Sequence, residues 1–185
     1  MFHIQTVCTG NICRSPMAQF ALDRAFREHR HAGDVAVDSA GLTGWEAGKP
    51  MDERAAAELK RHGYAGDAIA AFHAREFQPE WFAGRNLILA MDYGHYLDLA
   101  RQAPSTADRA KVMMLRAFDP ALQTPDGRPD PSPELGIEDP WYGDARDFET
   151  AYGLIAAAVP GVVQYVDRLL AERSKGSGPE STHEH

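Results

Sequence analysis

At 185 residues, with 44% hydrophobic and 25% charged side chains, the chain fits one globular domain large enough to bury a substantial core. A formal net charge of −8 disfavours nonspecific nucleic-acid binding, and no run of about 18 apolar residues offers a membrane span. Two cysteines are too few for a secreted disulfide scaffold, and the N-terminus enters a strand-like pattern without a signal-peptide plan. The expected location is therefore the cytoplasm, with unconventional export left open.

Strand-like and helix-like patterns alternate along the chain. Phe2–Val7 reads as a strand, and Pro16 to about His29 as a helix with Ser15 at its cap and proline at its first position. Val35–Asp38 is a second strand. Asp52-Glu53-Arg54 opens a helix that continues through Arg61, with acids at its start, bases at its end and Gly63 as its stop. A weak strand is predicted within Asp67–Phe72. Leu87-Ile88-Leu89-Ala90, inside Asn86–Met91, is the short apolar run of a buried parallel strand. A helix is predicted from Asp92 to about Ala103, then a short segment at Lys111–Leu115. Five prolines, from Pro120 to Pro133, turn Asp119–Glu138 into a loop. A last helix is predicted from about Asp147 toward Arg173, kinked or broken at Pro160-Gly161. Ser174–His185 reads as a disordered tail; its His183 and His185 fit a solvated end better than a metal site. The order predicts an α/β domain of about four parallel strands with helices on both faces.

The chemistry concentrates at Cys8-Thr9-Gly10-Asn11-Ile12-Cys13-Arg14-Ser15-Pro16, on the turn from the first strand into the first helix. Such a turn can aim successive N–H groups inward, and the helix adds its positive end. That environment binds a dianion and favours a thiolate at the same place. Arg14 adds a planar fork for two phosphoryl oxygens. Two cysteines five apart could also be half a metal site, yet only His3 lies nearby in sequence and no second cysteine pair exists. Two inert buried thiols would leave Gly10, Asn11, Arg14 and Ser15 unexplained. No Gly-Lys-Ser/Thr follows at the spacing a nucleotide loop requires. The loop reads as a phosphatase loop.

A thiolate attacking phosphorus needs an acid to protonate the departing oxygen. Asp139, in Glu138-Asp139-Pro140-Trp141-Tyr142-Gly143, is the best candidate: Pro140 stiffens the chain beside it, and Trp141 and Tyr142 offer a flat wall for a phenyl ring. The alternative is a helix-capping aspartate followed by two half-buried aromatics. Glu138 is a rival acid without the following proline. Cys13 shares the tight loop with Cys8 and is read as a redox partner whose disulfide would protect the nucleophile, against the alternative of packing beneath the loop.

Together these residues resemble the low-molecular-weight protein tyrosine phosphatases of bacterial type. The similarity runs from Phe2 to about Leu170, which sets an expected domain at 1–173. Its landmarks are the Cys8–Pro16 loop, Asp38-Ser39-Ala40-Gly41, Trp45, Arg61-His62-Gly63-Tyr64, Ala74-Arg75, Leu87–Asp92 and Asp139–Gly143 followed by Asp147-Phe148-Glu149. The resemblance implies a two-step hydrolysis of phosphotyrosine. Cys8 forms a cysteinyl-phosphate, while Arg14 and the N–H groups of residues 9–15 hold the oxygens. Asp139 donates a proton and then activates water; Ser15 supports the thiolate; Asn11 and Ser39 brace the loop. Trp45, Trp141 and Tyr142 are expected at the substrate rim, with Trp45 equally compatible with the core. No metal or cofactor is implied, and the expected partners are phosphotyrosine-containing proteins. Nothing in the sequence points to an oligomeric state.

Three departures stand out. Phe72 occupies the place where the family often carries a histidine, with His73 shifted by one, which weakens the case for a bracing role at His73. After Met91 the chain reads Asp92-Tyr93-Gly94-His95, where the family commonly has Asp, a variable residue, Ser and Asn. The Asp119–Glu138 loop is longer than usual. Among rivals, arsenate reduction wants further cysteines, and none follows Cys13. A protein-arginine phosphatase of this fold tends to carry threonine at the place of Ile12 and lacks the aromatic pair. A noncatalytic phosphotyrosine-binding module needs neither Cys8 nor Asp139.

Overall fold

The computed structural model describes residues 1–125 and 127–176. Four strands, β1 (Phe2–Cys8), β2 (Val35–Gly41), β3 (Leu87–Ala90) and β4 (Val112–Met114), form one parallel sheet in the order β2-β1-β3-β4. The chain passes from β1 to one neighbour and later returns to its other edge, so the winding reverses beside β1. Ligand sites in such sheets lie at this reversal, beyond the carboxyl ends of the strands. Cys8 stands there, opposite Gly41 in register, with Val7 opposite Ala90.

The period of two along the strands builds two cores. Phe2 and Ile4 share one with Leu87 and Leu89, whereas Val7, Ile88 and Ala90 face the other. Among the described residues the α-helices are α1 (Arg14–Arg27), α2 (Glu53–Arg61), α3 (Gly66–Ala70), α4 (Tyr93–Gln102), α5 (Thr106–Arg109) and α6 (Ala145–Gly176). Met17, Ala18, Ala21 and Leu22 form the buried stripe of α1, and it meets Ile155, Val162 and Val166 of α6 on the first face. Each such large side chain contributes roughly 1.5–3 kcal/mol on burial. Leu99 of α4 packs on the second face.

Several elements differ from expectation. Helix α1 starts two residues earlier than predicted, with Cys13 at its cap and no side-chain cap bond; Ser15 lies inside the first turn, its hydroxyl taken by the site described below. Asp67–Phe72 holds no strand: Gly66–Ala70 is the short helix α3, burying only Ile69. Helix α6 runs unbroken through Pro160. Gly161 is small for a packing reason, since a Cβ there would lie 1.8 Å from the Phe118 carbonyl oxygen. Ser174–Gly176 continue α6 where a tail was expected, and residues 177–185, with His183 and His185, lie outside the described residues. By length and mean hydropathy α6 could reach across a bilayer, which qualifies the exclusion drawn from composition. Its Ile155, Ala158, Val162 and Val166 are nevertheless fully buried in the domain core. In the proline-rich segment, short 3₁₀ turns form at Pro120–Leu122 and Pro133–Leu135, and the Ile137 N–H docks on the Met91 carbonyl at 2.9 Å.

Candidate active site

The loop after β1 turns its carbonyls outward and spends them. Cys8 O accepts from Leu42 N–H at 2.9 Å, Thr9 O from Thr43 N–H at 3.0 Å, and Ile12 O from Asp52 N–H at 2.9 Å. Among the described residues no hydrogen bond engages the backbone N–H groups of Gly10, Asn11, Ile12 and Cys13. Those donors are left for an anion, at the N-terminus of the 14-residue α1. Asn11 makes the reversal possible with φ 60, a left-handed conformation that asparagine tolerates better than most residues.

Side chains hold this shape from behind. Asn11 Nδ2 donates to Ser15 Oγ at 2.9 Å and to Ser39 Oγ at 2.8 Å, while its Oδ1 accepts from Arg75 N–H at 3.0 Å. Ser39 Oγ donates to Gln19 Oε1 at 2.5 Å, and Arg75 Nε donates to Ser39 O at 2.9 Å. Ser15 Oγ lies 3.0 Å from Cys8 Sγ, where a hydroxyl can donate to a thiolate. Gly41 lets β2 approach the loop: a Cβ there would sit 2.7 Å from Thr9 O and 2.8 Å from Gly10 C.

Arg14 is almost completely buried, and its guanidinium is divided. Nη1 donates to Asp92 Oδ2 at 2.9 Å and to Ile137 O at 2.9 Å. Nη2 meets Asp139 Oδ2 at 2.8 Å, and the buried Nε has no partner. On the Nε–Nη2 edge, Nε is therefore unspent and Nη2 is held only by the Asp139 carboxylate. Burial alone would push the Asp92 carboxyl up; hydrogen bonding and charge from His95, with Arg14, outweigh it and bring it down to about 2. Asp92 is an anion that fixes the orientation of Arg14. Burial pushes the Cys13 thiol up, the charges of Asp52, Cys8 and Asp139 add to that, and Arg54 only partly opposes it.

A cavity of about 190 Å³ opens over the loop. Of the residues singled out from sequence, Cys8, Thr9, Gly10, Ile12, Cys13, Arg14, Trp45, Asp139, Trp141 and Tyr142 line it, whereas Asn11, Ser15 and Ser39 are buried behind it. Trp45 is 77% exposed and Tyr142 91%, so both stand on the rim and neither in the core. His73 is exposed, and among the described residues its hydrogen bond goes to Ala71 O, away from the loop.

Sequence reasoning missed several residues. Glu46 lines the cavity, and Arg54 ties down the Asp139 segment by donating to Trp141 O at 3.2 Å and Gly143 O at 2.9 Å. Asp92 and His95 were marked only as a departure. Asp92 could have been found as the second residue after the strand beside β1, since sites gather at strand ends near the reversal. Arg54 and Glu46 carried no comparable signal.

A parallel sheet whose first strand ends in a cysteine, an unspent row of N–H groups and a buried arginine defines the cysteine-phosphatase class of anion site. Residues 3–173 match the family described as low molecular weight phosphotyrosine protein phosphatase, and the chain belongs to that family. It is 42% identical over 174 residues to a low molecular weight protein-tyrosine-phosphatase of Streptomyces coelicolor, covering 94% of this chain and 98% of the relative. It is 43% identical over 170 residues to low molecular weight protein-tyrosine phosphatase A of Mycobacterium tuberculosis, covering 91% and 94%. The fold is similar to the crystal structure of a protein tyrosine phosphatase from Entamoeba histolytica, with a TM-score of 0.79 at 23% identity over 91% of this chain and 98% of that one.

Proposed function

We propose that this chain hydrolyses phosphotyrosine in proteins through a cysteinyl-phosphate on Cys8. The observation that carries the reading is the Nε–Nη2 edge of Arg14, unpartnered at Nε and held at Nη2 only by Asp139, beside the unspent N–H groups of Gly10–Cys13, with Cys8 lining the same cavity. A phosphoryl dianion seated there would have its nonbridging oxygens held by the fork and the N–H row through the transition state. Cys8 attacks phosphorus, and the tyrosyl oxygen leaves toward Asp139, which supplies its proton. Asp139 then takes a proton from the attacking water as the phosphate departs, and Ser15 stabilises the released thiolate.

Asp139 rests on Arg14 at 2.8 Å, so substrate binding displaces that pair. Freed from that pair, Asp139 can turn to the leaving oxygen, and it donates from its carboxylic-acid form. Trp45, Trp141 and Tyr142 at the mouth suit an aryl leaving group. Ile12 and the aromatic pair also disfavour an arginine phosphate. Cys13 lines the same cavity and is proposed as a protective redox partner of Cys8. The test is release of para-nitrophenol from its phosphate and of phosphate from phosphotyrosine, phosphoserine and phosphoarginine peptides. Turnover confined to the aryl esters and lost in Cys8→Ser supports the reading; activity retained in Cys8→Ser defeats it.

A further inference from the structure

We propose that His95 is a positioning residue of this site, joining Thr9 of the phosphate loop to the Asp92–Arg14 pair through its two ring nitrogens. The inference deepens the function proposed above and rests on it. His95 is 6% exposed, in the first turn of α4, and its own N–H donates to the capping Asp92 Oδ1 at 2.8 Å. Its Nε2 lies 2.9 Å from Thr9 Oγ1, and its Nδ1 lies 3.0 Å from Asp92 Oδ2, the oxygen that also receives Arg14 Nη1. One buried imidazole thus touches the residue after the nucleophile and the anion that orients the arginine.

Nδ1 keeps 3.0 Å from Asp92 Oδ2, an electrostatic contact whose geometry falls short of a hydrogen bond, and a carboxylate beside that nitrogen favours the ring hydrogen there. With the hydrogen on Nδ1 alone, Nε2 accepts from the Thr9 hydroxyl. Thr9 is held from both sides, its carbonyl by Thr43 N–H at 3.0 Å and Thr43 Oγ1 at 3.1 Å, its side chain by His95. Its hydroxyl hydrogen is committed to the ring, which leaves the oxyanion to the backbone N–H groups and the arginine fork. Removing the ring would free that hydroxyl and loosen Asp92, so that Arg14 leans toward its other anion, Asp139. The loss would fall chiefly on oxyanion binding, because phosphate must then displace a tighter Arg14–Asp139 pair, and Asp139 still serves as the donor once displaced.

The test is calorimetric binding of orthophosphate in a Cys8→Ser background, which reads the site without needing turnover. His95→Ala should weaken binding about tenfold, equivalent to about 1.4 kcal/mol. Thr9→Val should cost about threefold when His95 is present and nothing when it is replaced by alanine, because the two act through one contact. His95→Asn, whose amide falls near the Nδ1 place, should restore part of the affinity. His95→Gln, which reaches the Nε2 place, should restore the sensitivity to Thr9→Val; these two variants decide the matter if His95→Ala does not fold. In the enzyme with Cys8 intact, kcat/KM for aryl phosphates should fall by a similar factor with its dependence on leaving-group pKa unchanged. Unaltered phosphate binding in the His95 variants, or an equal cost of Thr9→Val with and without His95, would overturn the proposal. If orthophosphate binds as described but the intact enzyme hydrolyses no aryl phosphate, it is the proposed function that fails, and the binding cycle still judges His95.

Discussion

Arg14 divides its guanidinium: Nη1 is anchored by Asp92 and the Ile137 carbonyl, while Nη2 holds only Asp139 and Nε has no partner. A lysine can keep the charge but cannot be anchored and bidentate at once. Arg14→Lys should therefore lower kcat/KM by about a thousandfold, the scale of losing preorganised oxyanion donors; near-normal kinetics would show Arg14 to be structural. Asp139→Asn should slow aryl phosphates with poor leaving groups far more than those with good ones, and a uniform loss across such a series would remove Asp139 as the acid. Asp92 carries a stability prediction. Its carboxyl is held at about 2 against an ordinary 3.8, so folding is favoured by the ionised form. That contribution is complete above about pH 4 and is lost as pH falls through about 2. Asp92→Asn should lower the melting temperature at neutral pH, and the gap to wild type should close in acid; a constant gap would assign the loss to packing. Cys13 is a buried thiol pushed up by that burial, which works against a thiolate there, while its place on the loop of Cys8 favours capture of an oxidised Cys8. After brief peroxide and then reductant, wild type should regain activity and Cys13→Ser should not. Equal recovery leaves Cys13 as packing.

At the scale of elements, the strands were legible because their apolar runs are short and bounded, and α2 because Asp52 and Gly63 mark its ends; Asp52 does accept from Arg54 N–H at 2.8 Å, and Gly63 has φ 76. The start of α1 was misread because a serine before a proline looks like a cap, while here Ser15 is bonded to Cys8 and Asn11. No local signal announces that use, because its partners come from the loop closing on itself. The break expected at Pro160-Gly161 is absent for the same kind of reason: the glycine serves an approach to Phe118 far away in sequence. Arg61-His62-Gly63-Tyr64 joins α2 to α6, with His62 stacked on Tyr152 at 4.1 Å and Tyr64 Oη 3.0 Å from Tyr152 Oη. It packs the domain and stands apart from the cavity. Two glycine substitutions separate packing from chemistry. Gly161→Ala forces α6 off the 115–118 turn and should cost about 1–3 kcal/mol of stability. Gly41→Ala pushes on Thr9 and Gly10 and should lower kcat/KM more than it lowers the melting temperature. If both changed stability alone, β2 would have no part in shaping the loop.

The whole molecule brings residues from positions 8–15, 39, 45, 75, 92–95 and 139–142 to one edge of a small sheet, and only the first and last of these groups spelled out chemistry in sequence. The carboxyl ends of β1, β2 and β3 converge there because the winding reverses at β1, so the fold itself gathers Ser39 and Asp92 around the loop that carries Cys8 and Asn11. Those two meet the loop only through parallel pairing between segments far apart in the chain, which the sequence pattern alone does not register. The central claim is that the phosphoryl group passes through Cys8. The most direct measurement is acid quenching of the enzyme during turnover of a phosphotyrosine substrate, with mass spectrometry of the peptide that contains Cys8. The account predicts a phosphate on that peptide, localised to Cys8 and absent in Cys8→Ser. Full turnover with phosphate never found on Cys8 would contradict it.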